Sequence, residues 1–97
     1  MFEVIYMKAE FEPWWMFEEW EEMVLSRHSF ENILEAKKHL ENMLQNFRAK
    51  YENEAMKKDC FYAFWTEDEK SFCEACDNDL QIYHGIILLR EGNPYHL

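Results

Sequence analysis

The chain has 97 residues and a formal net charge of −10; 48% of its side chains are hydrophobic and 18% aromatic, with only two Gly and two Pro. That composition excludes a disordered or loop-dominated polypeptide, and the length suits one domain over residues 1–97 that buries roughly 60 to 70% of its extended surface. No apolar run approaches the ~20 residues that cross a bilayer, and three Cys with no secretory signal ahead of them point to the reducing cytoplasm, with no membrane association.

The charge is unevenly placed. Residues 1–25 carry seven acids against Lys8 alone, and residues 59–97 carry eight acids against Lys70 and Arg90. Residues 26–58 hold seven basic side chains against five acids. Such flanks repel a polyanion, because nucleic-acid affinity rests largely on Lys and Arg neutralising phosphates. Only Lys38, Lys50 and Lys57 offer a weak basic strip.

In chain order, Phe2 to Ala9 alternates Phe2, Val4 and Tyr6 against Ile5, Met7 and Ala9, the pattern of a strand apolar on both faces. Glu10 to Glu22 reads EFEPWWMFEEWEE. Pro13 fits the first turn of a helix, and a short helix from Pro13 to about Leu25 would put Trp14, Phe17, Trp20 and Val24 on one face and turn Trp15 elsewhere. Met23 to His28 reads equally as a strand.

From Ser29 to about Met56 the apolar residues Phe30, Ile33, Leu34, Leu40, Leu44, Phe47, Tyr51 and Ala55 recur at three- and four-residue steps, which predicts a long amphipathic helix. Ser29 would be its N-cap, with Glu31 in the favourable first turn. Glu35 with Lys38, Lys50 with Glu54 and Glu54 with Lys58 are spaced to pair on its outer surface, and His39 falls there too. Such a helix, ~40 Å long, would overhang a strand of ~26 Å, leaving Phe47 and Tyr51 to be covered by another segment or another subunit.

Asp59 to Trp65 predicts a central strand. Thr66 to Glu69 has the spacing of a capping box and predicts a short helix from Glu67 to about Asp77. Leu80 to Arg90 reads as a strand with Gly85 as a bulge, ended by the turn at Glu91 to Pro94, although Phe72, Cys76, Leu80, Tyr83 and Ile87 also fall at helical steps. The order of elements predicts an α+β fold: a small, mainly antiparallel sheet packed by one long amphipathic helix, with one or two short helices. Strands apolar on both faces need cover on both, from the Trp-bearing segment or from a second copy in a homodimer.

Chemistry-bearing motifs are thin. Cys73 and Cys76 form a C-x-x-C that, with Cys60 and His84, would complete a Cys₃His zinc set, but Cys60 and His84 stand alone rather than as a second closely spaced pair, and small buried thiols on one face explain the spacing as well. Glu74, Asp77 and Asp79 crowd the thiols with negative charge, against a redox pair. Asp77, Asn78 and Asp79 lack the EF-hand ligand spacing and read as a solvated acidic turn. No Ser stands in a nucleophile elbow and no Gly-rich loop can cradle phosphate, so neither an enzyme nor a cofactor is expected. The feature least like a generic core is Trp14, Trp15, Phe17 and Trp20 among carboxylates. Read structurally it is core bulk; read functionally it is an acidic-rimmed aromatic surface, carried by Trp14, Trp15 and Trp20, for a basic protein or peptide partner.

At EPWWMFEEWEE (Glu12 to Glu22) and DCFYAFWTEDEKSFCEACDNDLQIYHGIILL (Asp59 to Leu89) the chain resembles a family of small bacterial proteins known only as a domain of unknown function. The resemblance implies no activity, cofactor or catalytic residue. Members are often labelled DNA-binding, and the acidic flanks and the lack of a helix-turn-helix, zinc-finger or RNA-recognition motif oppose that label here. The expectation is a non-catalytic binding domain, with a nucleic-acid-associated regulator as runner-up and a zinc-stabilised domain third.

Overall fold

A computed structural model describes residues 1–73 and 78–95. In chain order the elements are β1 (Phe2–Ala9), two single 3₁₀ turns (Pro13–Trp15 and Trp20–Met23), β2 (Val24–Phe30), α1 (Ile33–Lys50), β3 (Asn53–Lys57), β4 (Phe61–Trp65), β5 (Lys70–Cys73), β6 (Asn78–Gln81), β7 (Tyr83–Arg90) and β8 (Asn93–Pro94). The main sheet runs β2-β1-β7-β4-β3 with β8 on β7, and β5 and β6 form a separate hairpin. Every pairing is antiparallel among the described residues. The fold is therefore α+β, with one helix on a small antiparallel sheet as the patterning predicts.

The register assigns the two faces. Tyr6 pairs with Ile86, and Tyr62 with Ile86, so Val4, Tyr6, Tyr62, Phe64, His84 and Ile86 project to one side. Phe47 of α1 meets the rings of Tyr6 at 5.1 Å and Phe64 at 5.4 Å, which places the helix on that side. Ala36, Leu40 and Leu44 form its buried stripe. The opposite side carries Ile5, Met7, Phe61, Ala63, Gly85 and Ile87. There Pro13 is buried against Gly85 and Met7, while Phe11, Trp14, Met16 and Trp20 pack onto the core. Val4 and Ile5 are both 0% exposed although they point opposite ways, so β1 is sealed on both faces. At about 1.5–3 kcal/mol for each large apolar side chain fully buried, this double cover is the main source of cohesion. One chain supplies both covers, and the packing argument for a second copy falls away.

Several predicted elements differ. The long helix is shorter at both ends. Ser29 lies in β2 opposite Glu3, and Phe30 pairs with Phe2, so sheet pairing claims the residues that periodicity assigned to the first turn. The N-cap is Asn32, whose side chain accepts a hydrogen bond from the Leu34 N–H at 2.7 Å. At the other end Tyr51 is extended, and Ala55 and Met56 belong to β3. An 18-residue helix spans ~27 Å, close to the length of β1, and nothing overhangs. Phe47 and Tyr51 are covered by the sheet itself. Glu54, predicted to pair with Lys50 or Lys58 along the helix, instead sits on β3 and accepts from the Arg48 guanidinium at 2.9 and 3.0 Å. His39, predicted on the outer face, is half-buried against His28 and Phe30.

The helix expected from Pro13 to Leu25 is replaced by the two 3₁₀ turns, separated where Met16 turns to φ 45°, and the alternative strand reading of the segment after Met23 is the one realised. The helix expected from Glu67 is replaced by one turn, Glu69 N–H to the Thr66 carbonyl at 3.0 Å, followed by β5; residues 74–77 lie outside the described residues. A capping-box spacing closes a single turn here because β5 finds a partner in β6. The strand from Leu80 to Arg90 breaks at Ile82, whose N–H leaves the sheet for the Glu69 carbonyl. Gly85 is not a bulge: it pairs in register with Met7 on one side and Ala63 on the other.

The β3–β4 reversal is made by Lys58 and Asp59, both at φ 57°. Each such non-glycine residue costs about 1–2 kcal/mol against its right-handed alternative. Asp59→Gly is expected to stabilise the fold by about 0.5–1 kcal/mol, seen as a rise of a few degrees in the thermal midpoint by circular dichroism. The Tyr62 hydroxyl, which donates to the Asp59 backbone carbonyl at 2.9 Å, keeps its acceptor in that variant.

Candidate functional site

The Trp-bearing segment places its aromatic residues in two environments. Trp14 and Trp20 are half-buried and pack against the core, while Trp15 and Phe17 are each 54% exposed. The left-handed Met16 between them reverses the chain so that the Trp15 and Phe17 rings stack, 6.2 Å apart with planes at 12°. Phe11 meets Phe17 edge-on at 5.0 Å. From β3, the Lys57 ammonium lies 5.8 Å over the Trp14 ring and 5.7 Å over Trp15. This surface thus already holds one cation on its π faces. Beside it, Phe11, Phe17 and Met23 with the carboxylates of Glu18 and Glu19 line a groove of about 270 Å³. Of the three tryptophans singled out from sequence, only Trp15 presents its ring to solvent; Phe17, expected on the same face as Trp14 and Trp20, turns outward instead, and with Phe11, on no predicted face, it completes the surface.

A second site lies on the helix side of the sheet. His84 is 4% exposed and has partners on both ring nitrogens: the Tyr6 hydroxyl at 2.7 Å from Nδ1 and a Glu69 carboxylate oxygen at 2.6 Å from Nε2. Tyr51 stacks on its ring at 4.3 Å. Glu69 is held in place from behind. The Gln81 amide donates to the carbonyls of Thr66 and Glu69 at 2.9 and 2.8 Å, and the Ile82 N–H closes on the Glu69 carbonyl at 3.1 Å. That clamp is the reason β6 and β7 are separated at Ile82. Burial foremost, with Tyr51 and Glu69 nearby, pushes the Tyr6 phenol up to about 12. Tyr6, Glu69 and His84 open onto a cleft of about 610 Å³, whose walls include Lys8, Lys50, Tyr51 and Asp68.

Of the candidate zinc set, His84 has both ring nitrogens engaged by protein groups. Cys60 is buried at the β3–β4 reversal, where burial raises its thiol pKa; Cys76 and the side chain of Cys73 lie outside the described residues. Among the described residues no group of three His, Cys, Asp or Glu side chains could hold a metal ion. No helix among them is long and apolar enough to cross a membrane.

Fold and site together define a small α+β domain whose antiparallel sheet is roofed by one helix and floored by a tryptophan-bearing segment, with an aromatic surface and a histidine-lined cleft on opposite sides. The chain belongs to the family described as protein of unknown function (DUF1033), whose model matches residues 1–95. No curated protein and no solved structure matches it.

Proposed function

We propose that this protein is a non-catalytic, cytoplasmic binding domain that recognises a basic protein or peptide through the surface formed by Trp15, Phe17 and Phe11. The supporting observation is the pairing of exposed, stacked Trp15 and Phe17 with a groove that Glu18 and Glu19 line. A lysine or arginine stem lies along the apolar floor of such a groove while its charged head meets the carboxylates and ring faces. The chain's net charge of −10 draws a cationic partner in from a distance.

Fluorescence anisotropy of a labelled Lys- and Arg-containing peptide, compared with its Gln-substituted twin, tests the reading. At low salt the basic peptide binds and the twin does not. Phe17→Ala and Trp15→Ala each weaken binding about tenfold, or ~1.4 kcal/mol, and Glu18→Gln with Glu19→Gln flattens its salt dependence. Equal binding of both peptides, or no loss in either aromatic variant, overturns the proposal. Duplex DNA in the same assay addresses the nucleic-acid reading: a steeply salt-dependent gain in anisotropy would favour it instead.

A further inference from the structure

The Tyr6–His84–Glu69 chain of hydrogen bonds is unused by the aromatic surface, and counting its protons shows what it does to the cleft. An ionised carboxylate only accepts, a phenol has one O–H, and a neutral imidazole has one N–H. With Glu69 ionised and His84 neutral, Nε2–H donates to Glu69 and Nδ1 must accept from Tyr6. The single proton of Tyr6 is then spent inward, and the hydroxyl offers only lone pairs outward. When Nδ1 takes up a proton, both ring nitrogens donate, Tyr6 becomes an acceptor, and its own proton is released. That proton turns either directly into the cleft or onto the hydroxyl of Tyr51, which lines the same cleft and then turns its own proton outward. Either way, one more O–H donor faces the cleft. Burial keeps the Tyr6 phenol protonated in both states.

The charge changes in the same direction. The groups facing His84 are Lys8 from β1, Lys50 from the end of α1, and Asp68 and Glu69 from the β4–β5 connection, two cations against two anions; Glu54, on β3, is turned to Arg48. Protonation of His84 therefore tips a balanced cleft to a net positive one at the moment a donor appears. A donor and a positive charge arriving together favour a bound oxyanion, and by linkage the bound oxyanion favours the proton.

We propose that the cleft bounded by Lys8, Lys50, Tyr6, Tyr51 and His84 is a proton-coupled binding site for a small oxyanion, carboxylate or tetrahedral, with His84 taking up a proton as the anion binds. Histidine is the side chain whose ordinary titration falls between pH 5 and 8, which sets the pH interval over which the coupling is measured. Affinity is greatest where His84 is protonated and falls as pH rises.

Sodium sulfate and sodium acetate serve as probes, since neither titrates appreciably between about pH 6 and about pH 8, the interval in which histidine changes charge. Calorimetric titration of the full chain, with ionic strength held constant by sodium chloride, is run at both ends of that interval and in two buffers of different ionisation enthalpy. The expected result is binding at the lower pH of at least one probe, which identifies the anion's shape, with about tenfold or greater loss at the higher pH and a net uptake of protons on binding. Imidazole resonances of His84 move toward the protonated form as the probe is added. Tyr6→Phe, which keeps the ring, loses about tenfold at the lower pH because the donor is gone, and His84→Gln loses the pH dependence; a purely structural role would lower the melting midpoint of either variant without changing the pH slope. Absence of binding by both probes at the lower pH overturns the proposal, as does equal affinity at the two pH values or binding without proton uptake in the wild-type chain. The wild-type measurements decide the matter even if a variant fails to fold.

Discussion

Gly85→Ala is expected to destabilise the protein by about 2–3 kcal/mol, at the upper end of what overpacking a core usually costs. A Cβ at this position would lie 2.8 Å from the Pro13 Cβ, 3.0 Å from the Met7 Cγ and 3.1 Å from the Pro13 Cγ. The nearest atom belongs to a rigid ring, and Gly85 is held in register by β1 and β4, so neither side can yield cheaply. The absent side chain is what lets Pro13, and with it the whole Trp-bearing segment, seat on the sheet. Loss should therefore show in two readouts: a lower denaturant midpoint, and a red shift of tryptophan emission as Trp14 and Trp20 lose their cover. Pro13→Gly in the same chain removes the colliding Cβ, and the double variant is expected to be less destabilised than the two single effects summed, since contacting residues couple. A Gly85→Ala protein as stable as wild type would mean that the segment is not seated where the register puts it.

Phe64→Ala is expected to cost more, about 3–5 kcal/mol. Phe64 is fully buried at the centre of the helix side, 5.4 Å edge-on from Phe47 and 6.5 Å from Tyr51. Removing it opens a cavity between β4 and the end of α1 that flanking β-strands cannot close by themselves. Because Tyr51 rests on Phe64 at one side and on His84 at the other, the variant should also weaken pH-dependent oxyanion binding, whereas Phe64→Leu retains most of the volume and should spare both. Urea melts at constant slope measure the first effect. A loss below about 1 kcal/mol would show that the site collapses around the missing ring.

The physics of each signal sets how much of this is legible in the sequence. The alternation of Phe2 to Ala9 is a backbone period, and it located β1 within a residue. The apolar run Phe61 to Trp65 is as clear, because four aromatic strand formers around Ala63, with no polar face, suit the inside of a covered sheet. The three- and four-residue steps over Ile33 to Phe47 give the helix but not its ends, since Phe30 and Ala55 continue the same steps by coincidence and are claimed by Phe2 and Ala63 across the sheet. Aromatic and acidic composition marked Glu12 to Glu22 as unusual without saying which ring faces water. That depends on one left-handed residue, Met16, which no composition reveals.

What the amino-acid order determined by itself was local and periodic: an α+β domain, strands apolar on both faces, the need for a second cover, and a net charge of −10. What only the tertiary structure decided was which distant side chains meet. Tyr6, Glu69 and His84 stand 78 and 15 residues apart along the chain in their two contacts, and no spacing rule connects them. Their meeting depends on β1 and β7 pairing in one register and on Gln81 clamping the Glu69 loop, long-range hydrogen bonds whose partners are chosen by the packed sheet and not by neighbours in sequence.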